Sequence, residues 1–165
     1  MRSKPGGMVL IILLLVIYHF LPTGLPLAKA KAHAGSKPAD VATAIAYVKH
    51  QLGKPYLWGG AGPDAFDCSG LMQQAYGWGA SLRTSQDQWA GLHHVNSPGP
   101  GDLVFFAGLL QPGEQPPGHV GIVVNARKHL MIDAYGGVYG VEYDYYGPSA
   151  RKQGLGTVWG YASPG

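Results

Sequence analysis

The hydrophobic pattern of the chain changes near Leu103, and this change restricts the folds that the chain can adopt. After it come five short apolar stretches separated by glycine and proline: LVFFA, HVGIVV, LMIDA, GVYGVEY and TVWGY. Short runs rich in valine and aromatic residues are typical of β-strands. Since helical patterns precede them, we predict an α+β fold with N-terminal helices packed on a C-terminal antiparallel β-sheet.

The first predicted helix lies directly before a glycine-rich loop. Ser36 or Asp40 is its N-cap, Gly53 ends it, and its apolar residues recur at spacings of four and three: Val41, Ile45, Val48 and Leu52. The stretch that follows, GKPYLWGGAGPDAF, is too rich in glycine and proline for regular structure. It is therefore predicted to be a loop that carries Tyr56 and Trp58.

Two more helices are predicted before the strands. One begins at Asp67 or Cys68, because aspartate is a favoured N-cap residue, and runs to about Tyr76, with Gly77 after it. The other is short and covers residues 85–92.

Residues 1–34 have the layout of a secretory signal peptide. Arg2 and Lys4 precede an apolar block at 8–21, and the small-residue string LAKAKAHAG follows. The block is short for a membrane span, so we expect export with cleavage; an uncleaved segment would act as a membrane anchor. Residues 35–40 are then a linker, and 41–165 form one domain.

The charge of the chain after residue 34 argues against nucleic acid as a partner. Four of the 12 basic residues lie in 1–34, so eight remain against all nine acidic residues, a net charge of −1. Binding to a phosphate backbone needs clustered lysine and arginine.

Cys68 is the only cysteine of the chain. A lone cysteine in an exported protein is a buried bystander, half of an intermolecular disulfide or a reactive thiol. At the start of a helix, unpaired N–H groups and the helix dipole favour the thiolate, which is the nucleophilic form. A nucleophile of this kind also needs a base and a group that orients the base.

One of the seven histidines stands out as that base. His119 begins an apolar strand, where an imidazole is unusual unless it has a function. The other histidines lie in the leader, on a charged helix face, in loops or beside a turn: His19, His33, His50, His93, His94 and His129. His93 and His94 are expected to be solvated loop residues.

The hairpin after His119 supplies a partner for it. If the connection is tight and Val124 faces Lys128, one side of the hairpin is fully aliphatic and His119 faces Asp133. Directly opposed side chains are about 4.5–5.5 Å apart at Cβ, close enough for an imidazole to donate to a carboxylate. Gly121 leaves room beside the ring. A surface His–Asp pair without function is the alternative.

No metal or cofactor site is expected. The sequence lacks H-E-x-x-H, C-x-x-C and a second cysteine, which are typical of zinc sites, and it lacks G-x-G-x-x-G.

Four motifs together resemble a known family. GKPYLWGG, FDCSGL, PGDLVFF and HVGIVV, in this order, are similar to those of the NlpC-type cell-wall peptidases, papain-like cysteine enzymes that cut bacterial peptidoglycan stem peptides. The resemblance covers about residues 41–144. It implies Cys68 as the nucleophile, His119 as the base and Asp133 as the third catalytic residue, a position where histidine is commoner.

The resemblance also implies a substrate. Tyr56 would line the site, and Asp67 and Ser69 would bind the stem peptide, which would be cut between D-glutamate and diaminopimelate or lysine. The protein would be a monomer, secreted or associated with the cell wall. Residues 108–118 would be an insertion that narrows the cleft or holds a partner, and the RTSQDQW segment lacks the proline usual before its arginine.

Two other functions stay open at this point. One is a non-catalytic wall-binding module with the same fold, and the other is an amidase or acyl transferase that uses the same triad. Trp58 and Trp89 are expected to pack in the core or at the rim of the site.

Overall fold

Three helices precede most of a six-stranded sheet in the computed structural model, which describes residues 40–147 and 154–165. The helices are α1 (Val41–His50), α2 (Cys68–Tyr76) and α3 (Ser85–Gly91). The strands are β1 (His93–Val95), β2 (Leu103–Phe106), β3 (His119–Asn125), β4 (Leu130–Tyr135), β5 (Gly140–Tyr145) and β6 (Val158–Ser163). All neighbours are antiparallel, in the order β1-β6-β2-β3-β4-β5, so the predicted fold class is confirmed.

Helix α1 is capped by Asp40, whose carboxylate accepts a hydrogen bond from the Thr43 N–H at 2.9 Å. The other proposed cap, Ser36, lies outside the described residues. The predicted apolar face is only partly right, because Val41 and Leu52 are 37% and 36% exposed. The buried residues of the helix are Ala44 and Val48. Both belong to the core cluster that also contains residues of α2, the helix against which α1 packs.

Helix α2 has the predicted boundaries and lies almost entirely inside the domain. Asp67 is its N-cap and accepts from the Gly70 N–H at 2.6 Å, while Gly77 ends it in a left-handed conformation with φ 65°. The helix packs against β3 and β4. A Cβ on Gly70 would lie 2.1 Å from the Gly60 carbonyl, so the glycine allows the preceding loop to touch the first turn.

Strand β1 was not predicted. His93 and His94, expected in a loop, pair with Ser163 and Ala162 of β6. The His94 ring stacks on Trp89 at 3.7 Å between centroids, and its Nε2 lies 2.8 Å from the Trp89 carbonyl oxygen. The prediction was wrong because this strand is specified by the distant C-terminal strand and carries no alternating apolar pattern of its own.

The register of the β3–β4 hairpin differs from the predicted one by two residues. Ile122 pairs with Ile132, and the chain crosses between the strands through a 3₁₀ turn at Ala126–Lys128, with a bulge before it. Val124 therefore does not face Lys128, and His119 is not directly opposite Asp133. A shift of two keeps each side chain on its predicted face, so the aliphatic side still points into the core.

The two faces of the sheet are covered differently. Helices α1 and α2 bury one face around Leu71, Ile122 and Ile132, and the opposite face packs against Tyr146 and Leu155. Within 40–147 and 154–165 no helix is both long and apolar enough to cross a bilayer. The proposed signal or anchor at 1–34 lies outside the described residues.

Candidate active site

Cys68 is the first residue of α2 and lies at the bottom of a cleft, where it is 8% exposed. The thiol is free. The position of Cys68 follows from the sequence. Asp67 ends the preceding loop and is the N-cap of α2, so the next residue, Cys68, lies in the first turn of the helix. The cleft lies between the glycine-rich loop before α2, the 108–118 loop and the β4–β5 turn.

His119 and Asp133 form a buried pair beside this thiol. Nε2 of His119 lies 2.8 Å from Oδ2 of Asp133, and the two residues are 1% and 0% exposed. Because the carboxylate engages Nε2, Nδ1 is the nitrogen left for the hydrogen bond between the imidazole and the Cys68 thiol. The rings of Phe106 and Tyr135 flank the imidazole, each 5.8 Å away between centroids.

The surroundings of His119 favour its protonated form. Burial lowers the pKa of His119, but the negative charge of the Cys68 thiolate, the hydrogen bond to Asp133 and the hydrogen bond to Cys68 together raise that pKa to about 10. An imidazolium next to a thiolate is the pair that a cysteine nucleophile requires.

Arg83 also lines the site, a role that was not predicted from the sequence. Its guanidinium holds Asp67 with two hydrogen bonds, Nη1 to Oδ1 at 3.0 Å and Nη2 to Oδ2 at 2.6 Å. Nη1 also donates to Ser69 Oγ at 3.1 Å. The hydrogen bond to Asp67 raises the pKa of Arg83. Its position in the RTSQDQW segment was the signal that could have found it.

Tyr56, which the resemblance places at the site, lines both cavities of the cleft. It follows the first helix in the glycine-rich loop and forms an isolated bridge with Phe66, which holds the loop beside α2. Burial, followed by the negative charges of Cys68 and Asp67, raises the pKa of Tyr56, so its phenol stays neutral and can donate a hydrogen bond.

Two cavities of different character meet at the thiol, and Tyr56, Trp58, Cys68 and Gly118 line both. The first, of about 270 Å³, is lined by charged and polar side chains that include Asp67, Ser69, Arg83 and Glu114. The second, of about 590 Å³, contains His119 and Gln111, and leucine and tyrosine form most of its other walls. We call them the polar cavity and the apolar cavity.

The 108–118 loop lines both cavities, with Glu114 in the polar cavity and Leu109 and Leu110 in the apolar cavity. At the base of the loop, the Gly118 N–H donates a hydrogen bond to the Phe106 carbonyl oxygen at 2.9 Å. Its far side is tied to α3, where Ser85 Oγ donates to the Pro117 carbonyl at 2.8 Å and Gln86 Nε2 to the Gln115 carbonyl at 3.1 Å.

The two tryptophans lie as predicted, Trp89 partly buried against the core and Trp58 at the rim of the site. Trp89 packs edge-on against Phe105, with 5.3 Å between ring centroids. Trp58 stands at the mouth of both cavities and is 60% exposed. Among the residues that the structure describes, no group of three or more His, Cys, Asp or Glu side chains could hold a metal ion.

Comparison with known proteins agrees with this architecture. The chain matches the NlpC/P60 family over residues 53–153. It is 41% identical over 107 residues to "Probable endopeptidase p60" of Listeria innocua, covering 61% of this chain and 20% of that protein. It is 33% identical over 111 residues to murein DD-endopeptidase MepH of Escherichia coli K12, covering 62% and 40%. The chain therefore spans about a fifth of the length of the Listeria protein.

A solved structure shares the fold. The crystal structure of the P60 domain of antigen MAP1204 from M. avium subspecies paratuberculosis matches with a TM-score of 0.55 at 26% identity, over 74% of this chain and 93% of that one. The helices, the antiparallel sheet and the thiol at a helix start are those of a papain-like domain. Since the family match extends over more than half of the chain, the protein belongs to the NlpC/P60 family.

Proposed function

We propose that this protein is a cysteine endopeptidase that hydrolyses peptide bonds in the stem peptides of bacterial peptidoglycan. The observation that carries the proposal is the buried chain of contacts from the Cys68 thiol through the His119 imidazole to the Asp133 carboxylate. Membership of the NlpC/P60 family and the names of the p60 and MepH relatives support it.

The reaction would begin at the thiolate. Cys68 Sγ attacks the peptide carbonyl carbon, and the oxygen that becomes negative accepts a hydrogen bond from the Cys68 N–H in the first turn of α2, where the helix dipole favours negative charge. His119 then gives its proton to the leaving amine, and the C–N bond breaks to form a thioester. In the second half, His119 takes a proton from water as the hydroxyl attacks, and the thiolate is released.

Asp133 acts on His119 in both halves of this cycle. As a carboxylate that accepts from Nε2, it fixes the ring so that Nδ1 faces the thiol, and it stabilises the imidazolium that forms. Asp133 is thus proposed as the third catalytic residue, in the position that the resemblance assigns to it.

The position of His119 determines which half of the scissile peptide bond lies in which cavity. The imidazole must reach the leaving amine, and it lines the apolar cavity and not the polar one. The amine half of the scissile bond would therefore lie in the apolar cavity and the acyl half in the polar cavity. Asp67, Ser69 and Tyr56 would bind the acyl half, with Arg83 holding Asp67 and Ser69 in place.

The bond that we propose is the one between D-glutamate and diaminopimelate or lysine. The name of the MepH relative refers to a DD bond, so cleavage in cross-links is the second candidate. Mass analysis of the products from defined muropeptides, one cross-linked and one not, would separate the two bonds.

Removal of the thiol tests the activity itself. The purified protein should release stem-peptide fragments from peptidoglycan, and Cys68→Ala should abolish release without changing the thermal midpoint much. Equal cutting by Cys68→Ala would refute the thiol mechanism. If both proteins bind wall material and neither cuts, the non-catalytic wall-binding module is the better description. Release of an amide or transfer of the acyl group to an added amine would instead favour an amidase or acyl transferase.

The setting that we propose is outside the cytoplasmic membrane. Residues 1–34 would direct export as a signal peptide, or hold the protein at the membrane if they are not removed, with 35–40 as linker and 41–165 as the peptidase domain. We expect a monomer. Mass determination of the N-terminus of the exported protein, together with fractionation of cells, would distinguish the cleaved form from the anchored form.

A further inference from the structure

Two leucines of the 108–118 loop build one wall of the apolar cavity. Leu109 has φ 62°, an unusual conformation for a bulky residue, and packs against the core cluster on the outer face of the sheet. Leu110 follows it and leans over the base of the loop, since a Cβ on Gly118 would lie 2.9 Å from Leu110 Cδ2. Gly118 directly precedes His119. The loop therefore holds an aliphatic side chain next to the proton donor for the leaving amine.

The opposite wall of this cavity is aromatic. Tyr135 and Tyr139 pack edge-on, 5.5 Å apart between ring centroids, and Trp58 completes the rim. Tyr139 is 51% exposed, so the wall is open to a ligand. Such walls bind hydrocarbon through contact area, without a fixed polar partner.

The charge distribution differs sharply between the two cavities. Asp67, Arg83 and Glu114 line the polar cavity. Among the described residues that line the apolar cavity, His119 and Cys68 are the ones with a titratable side chain other than the tyrosine phenols. Both of these are occupied in the proposed chemistry. No described lysine, arginine, aspartate or glutamate there can pair with a charged end of the leaving residue.

We propose that Leu109 and Leu110 form a leaving-group subsite that recognises the aliphatic stem of the residue after the scissile bond and is indifferent to the charge at the end of that stem. This rests on the proposed function and specifies its substrate class: peptides whose leaving residue has a long hydrocarbon side chain. A terminal ammonium or carboxylate projects through the open mouth of the cavity into water, as long charged side chains do at apolar surfaces.

Four synthetic peptides of the form L-alanyl-γ-D-glutamyl-X test this with the full-length protein. X is lysine, diaminopimelate, norleucine, which is lysine without its ammonium group, or glycine, which has no stem. We expect kcat/KM for lysine, diaminopimelate and norleucine to agree within about threefold, and glycine to be cleaved at least about tenfold less well, since hydrocarbon in such a pocket contributes discrimination of that order.

Substitution of Leu110 distinguishes an effect on substrate preference from an effect on folding. Leu110→Glu should create a preference for lysine over norleucine of about tenfold, because a carboxylate would then face the ammonium group, while Leu110→Met should leave the wild-type ratios unchanged. The matched control is Leu57→Glu, an exposed leucine of the glycine-rich loop that lines neither cavity. A ratio of two substrates is measured on the same folded molecules, so reduced stability alone does not move it.

Three results would overturn the subsite. They are a wild-type preference of more than about tenfold for lysine or diaminopimelate over norleucine, equal cleavage of the glycine peptide, and wild-type ratios in Leu110→Glu. Cleavage of none of the four peptides, with muropeptides also left intact, would refute the endopeptidase proposal instead, and the subsite with it.

Discussion

Nε2 of His119 lies 2.8 Å from Oδ2 of Asp133 along a diagonal of the β3–β4 hairpin. The register that pairs Ile122 with Ile132 sets Gly121 next to Asp133, and a Cβ on Gly121 would lie 3.2 Å from the Asp133 Cβ. The glycine thus leaves the diagonal open, and the imidazole reaches the carboxylate across it. Both side chains are buried, so their mutual geometry is fixed by the sheet and not by solvent.

The pH dependence of the proposed activity follows from the charge state of His119. Burial lowers the pKa of His119, but the Cys68 thiolate and the hydrogen bonds raise it to about 10, above the ordinary value of about 6.5. The stabilisation of the imidazolium is therefore complete below about pH 6.5 and is lost as the pH rises through about 10. We expect kcat/KM for a stem peptide to fall on the alkaline side as the pH passes about 10, where the leaving amine loses its proton donor.

A pH–rate profile of kcat/KM checks this expectation, with the fraction of folded protein followed at each pH by circular dichroism. An alkaline limb near pH 7 in fully folded protein would contradict the raised pKa of His119.

Asp133→Asn should lower activity without unfolding the domain. Asparagine retains the shape of aspartate but loses the charge that favours the imidazolium, so the pKa of His119 falls and the alkaline limb moves to lower pH. We expect kcat/KM at neutral pH to drop by about 10²-fold, the scale of one positioned acid–base group. Asp64→Asn, which removes an exposed carboxylate outside both cavities, is the control. An unmoved limb in Asp133→Asn would mean that another group orients the ring.

Gly121→Ala should disturb the same diagonal by steric means. The added Cβ would lie 2.8 Å from Met131 Sδ and 3.2 Å from the Asp133 Cβ. The Met131 side chain must therefore move, and Asp133 must shift by a few tenths of an ångström. Overpacking of this kind costs about 1–3 kcal/mol of unfolding free energy. We expect this loss in urea denaturation, together with about a tenfold lower kcat.

Gly99→Ala is the matched control for this substitution. Its Cβ would have its nearest contact at 3.7 Å, from Asp102 Oδ2, which is an ordinary van der Waals distance. Full activity and stability in Gly121→Ala would show that the hairpin has more room than its geometry indicates.

Arg83→Lys should weaken substrate binding more than the chemical step. The planar guanidinium of Arg83 binds both carboxylate oxygens of Asp67 and also Ser69 Oγ. Lysine keeps the positive charge but cannot make these three contacts at once. We expect KM for a stem peptide to rise about tenfold while kcat changes less than about threefold, since each lost hydrogen bond to a charged group contributes about 1.5–3 kcal/mol. Steady-state kinetics measure the split.

The comparison for this substitution is Arg127→Lys, in the exposed 3₁₀ turn between β3 and β4. It should leave both constants unchanged. A fall in kcat with constant KM in Arg83→Lys would instead place Arg83 in support of the chemical step.

Local spacing in the sequence was sufficient for much of the fold. The start of α2 at Asp67 and Cys68 and its end at Gly77 were predicted because capping residues act within one turn of the helix. Strands β2 to β6 were predicted because short valine-rich and aromatic runs between turn residues strongly favour β-strands. The aliphatic face of the hairpin was also correct, since a two-residue error in register leaves the period of two intact.

Contacts between residues distant in sequence decided the rest. Strand β1 exists because β6 pairs with it, and the bulged 3₁₀ connection sets the hairpin register, so His119 reaches Asp133 diagonally. Arg83 reaches Asp67 only when the segment before α3 folds back over α2. The sequence by itself determined which residues could carry the chemistry. Only the tertiary structure brought them within hydrogen-bonding distance and gave the two sides of the thiol different polarity, because that depends on loop closure and not on local propensity.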